Sequence, residues 1–440
     1  MLWGESSLYE RPRDAMPSTP VFDVTVIGAG PSGLMAAIAA RSQGARTLLI
    51  EKGNKLGRKL GISGGGRCNV TNAKPLAELM KNIPGNGRFL YSALTQFSNH
   101  DIVAFFEDLG IRLKEEDRGR VFPITDKAST VVRALVDKVY NLGVEVWQEA
   151  PVADLLTEGS VVAGVKLASG DILHTKAVVV ATGGCSVPQT GSTGDAYPWA
   201  EALGHTIIDP YPTEVPLRSA DPFIESRTVQ GLSFKDVSIA IVNSAGKTLT
   251  TELGDMMFTH FGLTGPVALR CSHYVSTALR RNSADELTAY IDFFPSIPRD
   301  NLVKELKQYR DQKGRKQLNT RLAQWFPDRF ASVLLDTLNI SAATDMSHVS
   351  NEMIATIVQH IKGFPVSISG TLPLEKATVT GGGVCIQEIS PKTMGSKYCL
   401  GLYFAGEVMD VHAHTGGYNI TVAFSTGHAA GTAAAQYAMT

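Results

Sequence analysis

The sequence predicts an α/β fold in which one domain is assembled from both ends of the chain around a long β-rich insertion with a small helical subdomain. Three observations predict it. First, Phe22-Asp23-Val24-Thr25-Val26-Ile27 is a β-branched apolar run that ends at Gly28-Ala29-Gly30-Pro31-Ser32-Gly33, and small apolar residues from Leu34 to Ala40 continue it as a helix. Second, between Tyr211 and Phe294 the pattern changes to short alternating segments such as Val237–Val242 and Leu287–Asp292, the period of half-buried strands. Third, glycine-ended apolar strands return at Ala377–Gly383 and Leu402–Glu407, and a small-residue helix closes the chain from Thr421 to Ala438.

The order strand, GxGxxG, helix has a physical meaning in a Rossmann-like dinucleotide-binding domain. Gly28 permits the tight turn, Gly30 lets backbone approach a pyrophosphate, and Gly33 lets the helix pack close to the strand, so the anion sits on the helix N-terminus. The second strand, Thr47–Ile50, ends at Glu51, about 20 residues on, where an acid meets ribose hydroxyls and repels a 2′-phosphate. Ala29, Pro31, Ser32 and Lys52 complete this part of the expected contact set. The site binds an ADP moiety.

The next loop, Lys55 to Asn72, decides which dinucleotide. It carries four cations (Lys55, Arg58, Lys59, Arg67), three successive glycines (Gly64, Gly65, Gly66) and Asn and Thr hydrogen-bonding groups, which suit a larger, permanently held cofactor. Its run GRKLGISGGGRCNVTN, with the later GGYN, resembles the bacterial YhiN/BaiN-type flavoproteins, also known as NAD(P)/FAD-dependent or aminoacetone-oxidase-like enzymes, over nearly all of Val21 to Gln436. The resemblance implies non-covalent FAD in a glutathione-reductase-type domain, with Arg58, Lys59, Gly66, Arg67, Cys68 and Asn69 at the cofactor.

Composition bounds the class. With 440 residues, 44% hydrophobic and 19% charged, the chain is long enough for two or three domains, and its net charge of −1 gives no overall attraction to polyanions. The first 20 residues lack a signal-peptide core and read as a disordered lead-in, with Met16 as an alternative start. Five widely spaced cysteines without CxxC argue against a redox disulfide and against a secreted framework, leaving the cytoplasm as the default. No membrane partner and no metal site is expected.

In chain order, Phe89–Leu109 suits a helical pair, and Arg118–Pro123 reads as a loop. The resemblance puts this RVFP segment near the active site; two solvated arginines beside a buried Phe-Pro is the other reading. Ala128–Leu142 is a helix and Val144–Trp147 a third parallel strand. Val161–Leu167 and Asp171–Thr175 form a hairpin that returns to Val178–Gly184, and the resemblance places Ala181, Thr182 and Gly183, together with Val152, against the cofactor. The expected domains are 21–195 with 375–440 for FAD, 196–297 with 340–374 for a β-rich substrate domain, and 298–339 for a basic helical subdomain whose helical part extends to 362. Nine cations against four anions give Arg299–Arg329 a charge of +5, either a solvated face or a dock for ribosomal RNA phosphates.

At the chain end the resemblance makes Glu407, after Gly406, the acid that reaches the ribityl chain, where many relatives have Asp. It also sets the helix that opens at Gly417, Tyr418, Asn419 and Ile420 against the flavin. Catalytic candidates are His260, Cys68 and His412. Each has a plainer reading: a packed histidine between two Phe, a small buried thiol, a loop-bonding histidine. The expected activity is FAD-dependent oxidoreduction with NAD(P)H as transient reductant and an unresolved small-molecule substrate. The resemblance leaves two further activities open, formation of dihydrouridine in ribosomal RNA and oxidation of a small amine.

Overall fold

The structure, a computed structural model, describes residues 22–283 and 286–440; the expected lead-in lies outside the described residues. The chain forms two compact units, one ending at Pro210 and resuming at Thr380–Thr440, the other Tyr211–Val379. The insertion thus begins later than the expected residue 196. Ala196, Tyr197, Trp199 and Ala200 of the short helix Ala196–Ala202 are buried in the first unit's core, which holds that helix there.

The first unit is built on a seven-stranded sheet. Its strands are β1 (Phe22–Ile27), β2 (Thr47–Ile50), β3 (Glu145–Trp147), β4 (Val152–Glu158), β5 (Val161–Leu167), β6 (Ile172–Val180) and β7 (Leu402–Phe404). The order β3-β2-β1-β6-β7 is parallel throughout. The expected hairpin strand and the strand after it are one strand. Within β6 the residues Ile172 to Lys176 alternate in burial, because there β6 pairs antiparallel with β5, which in turn pairs with β4. From Ala177 to Val180 every residue is buried, because that half lies between β1 and β7, where a parallel sheet is covered on both faces.

Helices α1 (Pro31–Ser42), α2 (Arg58–Ile62), α3 (Ala128–Asn141) and α4 (Tyr418–Met439) flank the sheet. α1 and α4 are buried almost all round, which their low-polarity, small-residue sequences permit. They cross in backbone contact: a Cβ at Gly427 would lie 2.3 Å from the Ser32 carbonyl oxygen, and one at Gly431 2.1 Å from that of Ala36. The RVFP segment is a strand rather than a loop. Arg120–Pro123 pairs with Thr71–Asn72 on one side and Leu113–Glu116 on the other, with Val121 and Phe122 buried.

The second unit carries a seven-stranded antiparallel sheet in the order Phe364–Ile368, Leu287–Asp292, Ser233–Val242, Thr248–Phe258, Gly262–Thr264, Leu217–Arg218, Gly370–Thr371. Packed against it is a helix absent from the expectation, Pro266–Arg281, whose buried Val267, Cys271 and Val275 recur every four residues. The basic helices Arg299–Lys313, Leu318–Leu322 and Asp328–Thr337 place Leu302, Leu306, Leu318, Leu322 and Phe330 in one buried cluster with Ile239, Phe258 and Phe364 of the sheet. They share the sheet's core instead of forming a subdomain with its own. Among the described residues no helix is long and apolar enough to cross a membrane.

Candidate functional site

The three motif glycines answer to different constraints. A Cβ on Gly28, whose φ is +96°, would lie 2.6 Å from the Ala181 carbonyl oxygen, and one on Gly33 would lie 1.8 Å from that of Gly28. The fold itself requires both. A Cβ on Gly30 would meet nothing within 4 Å, so internal packing does not require this glycine and the space beside it is open to a ligand. The first turn of α1 has no acidic residue and no side-chain cap, which leaves it suited to an anion. Glu51 accepts hydrogen bonds from Ala29 N (2.9 Å, Oε2) and Gly53 N (2.8 Å, Oε1), tying the turn to the end of β2 with lone pairs to spare. Beyond β6, the buried Thr182 Oγ1 has no protein partner. An open glycine cradle, a ribose acid and an orphaned hydroxyl fit the ADP half of a dinucleotide.

The asparagines of the basic loop and of the GGYN turn bond backbone. Asn69 Oδ1 accepts from Val121 N at 3.2 Å, Asn72 Nδ2 donates to Gly416 O at 2.9 Å, and Asn419 both accepts from Ala413 N (2.8 Å) and donates to Ala413 O (2.6 Å). Asn99, unnoticed in the sequence, donates to Asn72 O at 2.7 Å. Gly417, at φ +94°, leaves no room for a Cβ, which would lie 2.5 Å from Thr71 O. The loop, the RVFP strand and the GGYN turn therefore form one clasp, because buried carbonyl and amide groups must find partners and amide side chains supply both kinds.

The cations divide. Arg67 stacks on Phe122, 4.1 Å from the ring centroid, and bonds Glu116 and Asp126; these hydrogen bonds raise its pKa beyond the ordinary arginine value. It anchors the loop to the small sheet. Arg58 donates to Asn54 at 2.5 Å, and Lys52 bonds Thr193 (2.6 Å) and Asp195 (2.5 Å). Lys59 reaches Glu407 Oε2 at 2.7 Å and Ser186 Oγ at 2.8 Å. Glu407 Oε1 also accepts from Thr380 N (2.6 Å) and Ser186 Oγ (2.9 Å). Burial opposes the charge on Glu407, but the Lys59 ammonium and these hydrogen bonds outweigh it and hold the carboxyl below its usual range. Ser186 and Thr380 were missed; Thr380 precedes Gly381 and Ser186 lies two residues past Gly184, each near the glycine signal that marked its neighbours.

The catalytic candidates have different surroundings. Cys68 is fully buried, and burial pushes its thiol up to about 12 against a hydrogen bond with Ser63; it is no thiolate at neutral pH. His412 is also buried, pinned by paired backbone bonds to Gly85, where a Cβ would lie 2.2 Å from its Nδ1. His260 sits exposed in the second unit on the turn between Thr248–Phe258 and Gly262–Thr264, edge-on to Phe261. Val152 begins β4, half-buried; Tyr418 is buried and Ile420 partly so in the first turn of α4.

The profile of the family described as HI0933-like protein Rossmann domain matches residues 22–433. A ribosomal RNA dihydrouridine synthase of Escherichia coli K12 is 31% identical over 409 residues, covering 92% of this chain and 96% of its own. A 3-dehydro-bile acid delta(4,6)-reductase of Clostridium scindens is 29% identical over 418 residues, covering 94% and 99%. Among solved structures, a 3-ketosteroid delta1-dehydrogenase of Sterolibacterium denitrificans superposes with a TM-score of 0.53 at 15% identity, covering 95% of this chain and 100% of that one. That likeness is one of fold.

Proposed function

The chain belongs to the HI0933-like Rossmann-domain family and is an FAD-dependent oxidoreductase, and from that premise we propose that it reduces a carbon–carbon double bond conjugated to a carbonyl group, with NAD(P)H as the source of electrons. One observation carries this reading. Two relatives matched over nearly their whole length are named for unlike substrates, a uridine in RNA and a bile acid, yet both names describe saturation of a C=C bond activated by a carbonyl.

Bound FAD supplies hydride transfer at the flavin ring. The chain's own residues bind and orient. Gly28, Gly30 and Gly33 with the first turn of α1 receive the pyrophosphate; the spare lone pairs of Glu51 receive ribose hydroxyls; Thr182 Oγ1 donates to the nucleotide. The asparagine clasp holds the Gly64–Gly66 turn against the N-terminus of α4, whose first-turn amides and dipole favour negative charge on the ligand.

Anaerobic reduction of the FAD-loaded protein with NADH or NADPH, followed by mixing with a conjugated enone, its saturated ketone, a uridine-containing RNA, or aminoacetone with oxygen, tests the proposal. The enone or the RNA uridine reoxidises the flavin and the saturated ketone does not. Turnover with the amine and oxygen alone would sink the reading.

The cations of the helical stretch support RNA as one of the conjugated substrates. Arg299, Arg310 and Arg329 bond carbonyls of their own unit, and Arg321 bonds Glu305 and lies 3.9 Å from the Trp325 ring centroid. Lys304, Lys313, Arg315 and Lys316 are exposed and Lys307 half-buried, and among the described residues none of the five has an acidic partner. Were all five to neutralise phosphates on a single strand, log K for RNA would fall with log salt at a slope of about −3.5.

A further inference from the structure

Lys59 and Glu407 stand 348 positions apart in sequence and 2.7 Å apart in space. The expectation of two separate cofactor ligands does not account for that contact. A carboxylate offers about four lone-pair sites, and three on Glu407 are filled by Lys59 Nζ, Ser186 Oγ and Thr380 N. The Lys59 ammonium is held from two sides, by Glu407 and by Ser186 Oγ at 2.8 Å. Thr380 Oγ1 in turn accepts from Cys185 N and Ser186 N, both at 2.9 Å, and so holds Ser186 in place.

The pair also has a defined place. Glu407 follows Gly406, where a Cβ would lie 2.6 Å from Ser32 Oγ in the first turn of α1, and Ser186 follows closely on Gly183 at the exit of β6. The glycine turn and the exits of β6 and β7 converge on it. Both side chains are mostly buried, 24% and 20% exposed. There a single unpaired charge is costly, whereas a pair is tolerated.

We propose that Lys59 and Glu407 act toward the cofactor as one electrically neutral unit, in which Glu407 is a positioning residue that fixes the Lys59 ammonium. The inference deepens the FAD reading and rests on it. Removing the ammonium alone strands a carboxylate in the cleft of a diphosphate ligand. Removing both charges restores neutrality. Shortening Glu407 to Asp withdraws the carboxylate by about one C–C bond, 1.5 Å, and breaks the contact while keeping the charge.

The test uses full-length apoprotein reconstituted with FAD, with the dissociation constant read from flavin fluorescence, the melting temperature of each apoprotein, and the flavin midpoint potential. Lys59→Met weakens FAD binding by about tenfold or more and lowers the potential. Glu407→Gln raises the potential. The double variant binds FAD more tightly than Lys59→Met, and Glu407→Asp, which frees the ammonium without changing the net charge, weakens FAD binding while leaving the potential near that of wild type. Losses that multiply in the double variant, or FAD binding by Glu407→Asp as tight as wild type, would overturn the proposal. If Lys59→Met apoprotein fails to fold, Glu407→Asp against the double variant still decides. Wild-type apoprotein that takes up no FAD would overturn the underlying reading and this inference together, whereas independent effects in a protein that binds FAD would overturn this inference alone.

Discussion

Two glycine-rich stretches, Gly28–Gly33 and Gly64–Gly66, look alike on the page and are constrained in opposite ways. In the first, Gly28 and Gly33 exclude a side chain because backbone atoms occupy its place. In the second, a Cβ on Gly65 or Gly66 would meet nothing within 4 Å, but φ is +56°, +68° and +86° along the three residues, a left-handed conformation that L residues with side chains resist. Packing sets the first stretch, with a left-handed φ at Gly28 besides, and backbone torsion chiefly sets the second, with Gly64 also close to the Asn69 backbone N. Gly30 belongs to neither class, since it has room and its φ lies outside the left-handed region; what remains to require it is a ligand.

Substitutions separate these cases. Gly33→Ala places a methyl 1.8 Å from a carbonyl oxygen and destabilises the fold by about 3 kcal/mol or more, seen as insoluble protein or a large drop in melting temperature. Gly30→Ala changes the apoprotein's melting temperature far less than Gly33→Ala does and weakens FAD binding by roughly tenfold to a hundredfold, the equivalent of one charge-assisted hydrogen bond. An equal fall in the melting temperature would show that Gly30 is structural after all. Gly65→Ala costs about 1 kcal/mol in chemical denaturation, with little change in FAD affinity unless the turn touches the ligand.

The smallest effect concerns the anchor of the second stretch. Hydrogen bonds from Arg67 to Glu116, and from Lys114 and then Arg67 to Asp126, hold both carboxyls below their ordinary values of 4.5 and 3.8. A carboxyl depressed in the folded state binds its proton more readily when unfolded, so its stabilisation is present above the ordinary value and is lost as pH falls through the folded one. Melting temperature therefore declines on acidification below about pH 4.5, and the decline is shallower in a Glu116→Gln, Asp126→Asn variant. Identical profiles would remove Arg67 from the anchor.

Much of the first unit was legible because its signals are local. The β-branched run of β1, the spacing of the glycines and the acid closing β2 all lie within thirty residues, where period and turn chemistry act directly. The helix Pro266–Arg281 was equally legible in its four-residue spacing but was absorbed into a β-rich reading of its surroundings. The backbone partners of the asparagines were not legible because an amide serves a ligand and a buried carbonyl equally well, and only the folded backbone says which carbonyls need it.

The sequence by itself determined the dinucleotide turn and the parallel strands that carry it, since these follow from short-range sterics and hydrophobic period, and its loop motif carried the resemblance to the family. Tertiary structure alone decided the partners of the charges. Lys59 and Arg67 share one loop and one formal charge, yet one meets a carboxylate 348 positions away and the other an ion cluster on the neighbouring small sheet. A charge in sequence carries no address; its partner is chosen by which surfaces the buried core brings together, because the cost of an unpaired charge arises only once the chain has folded around it.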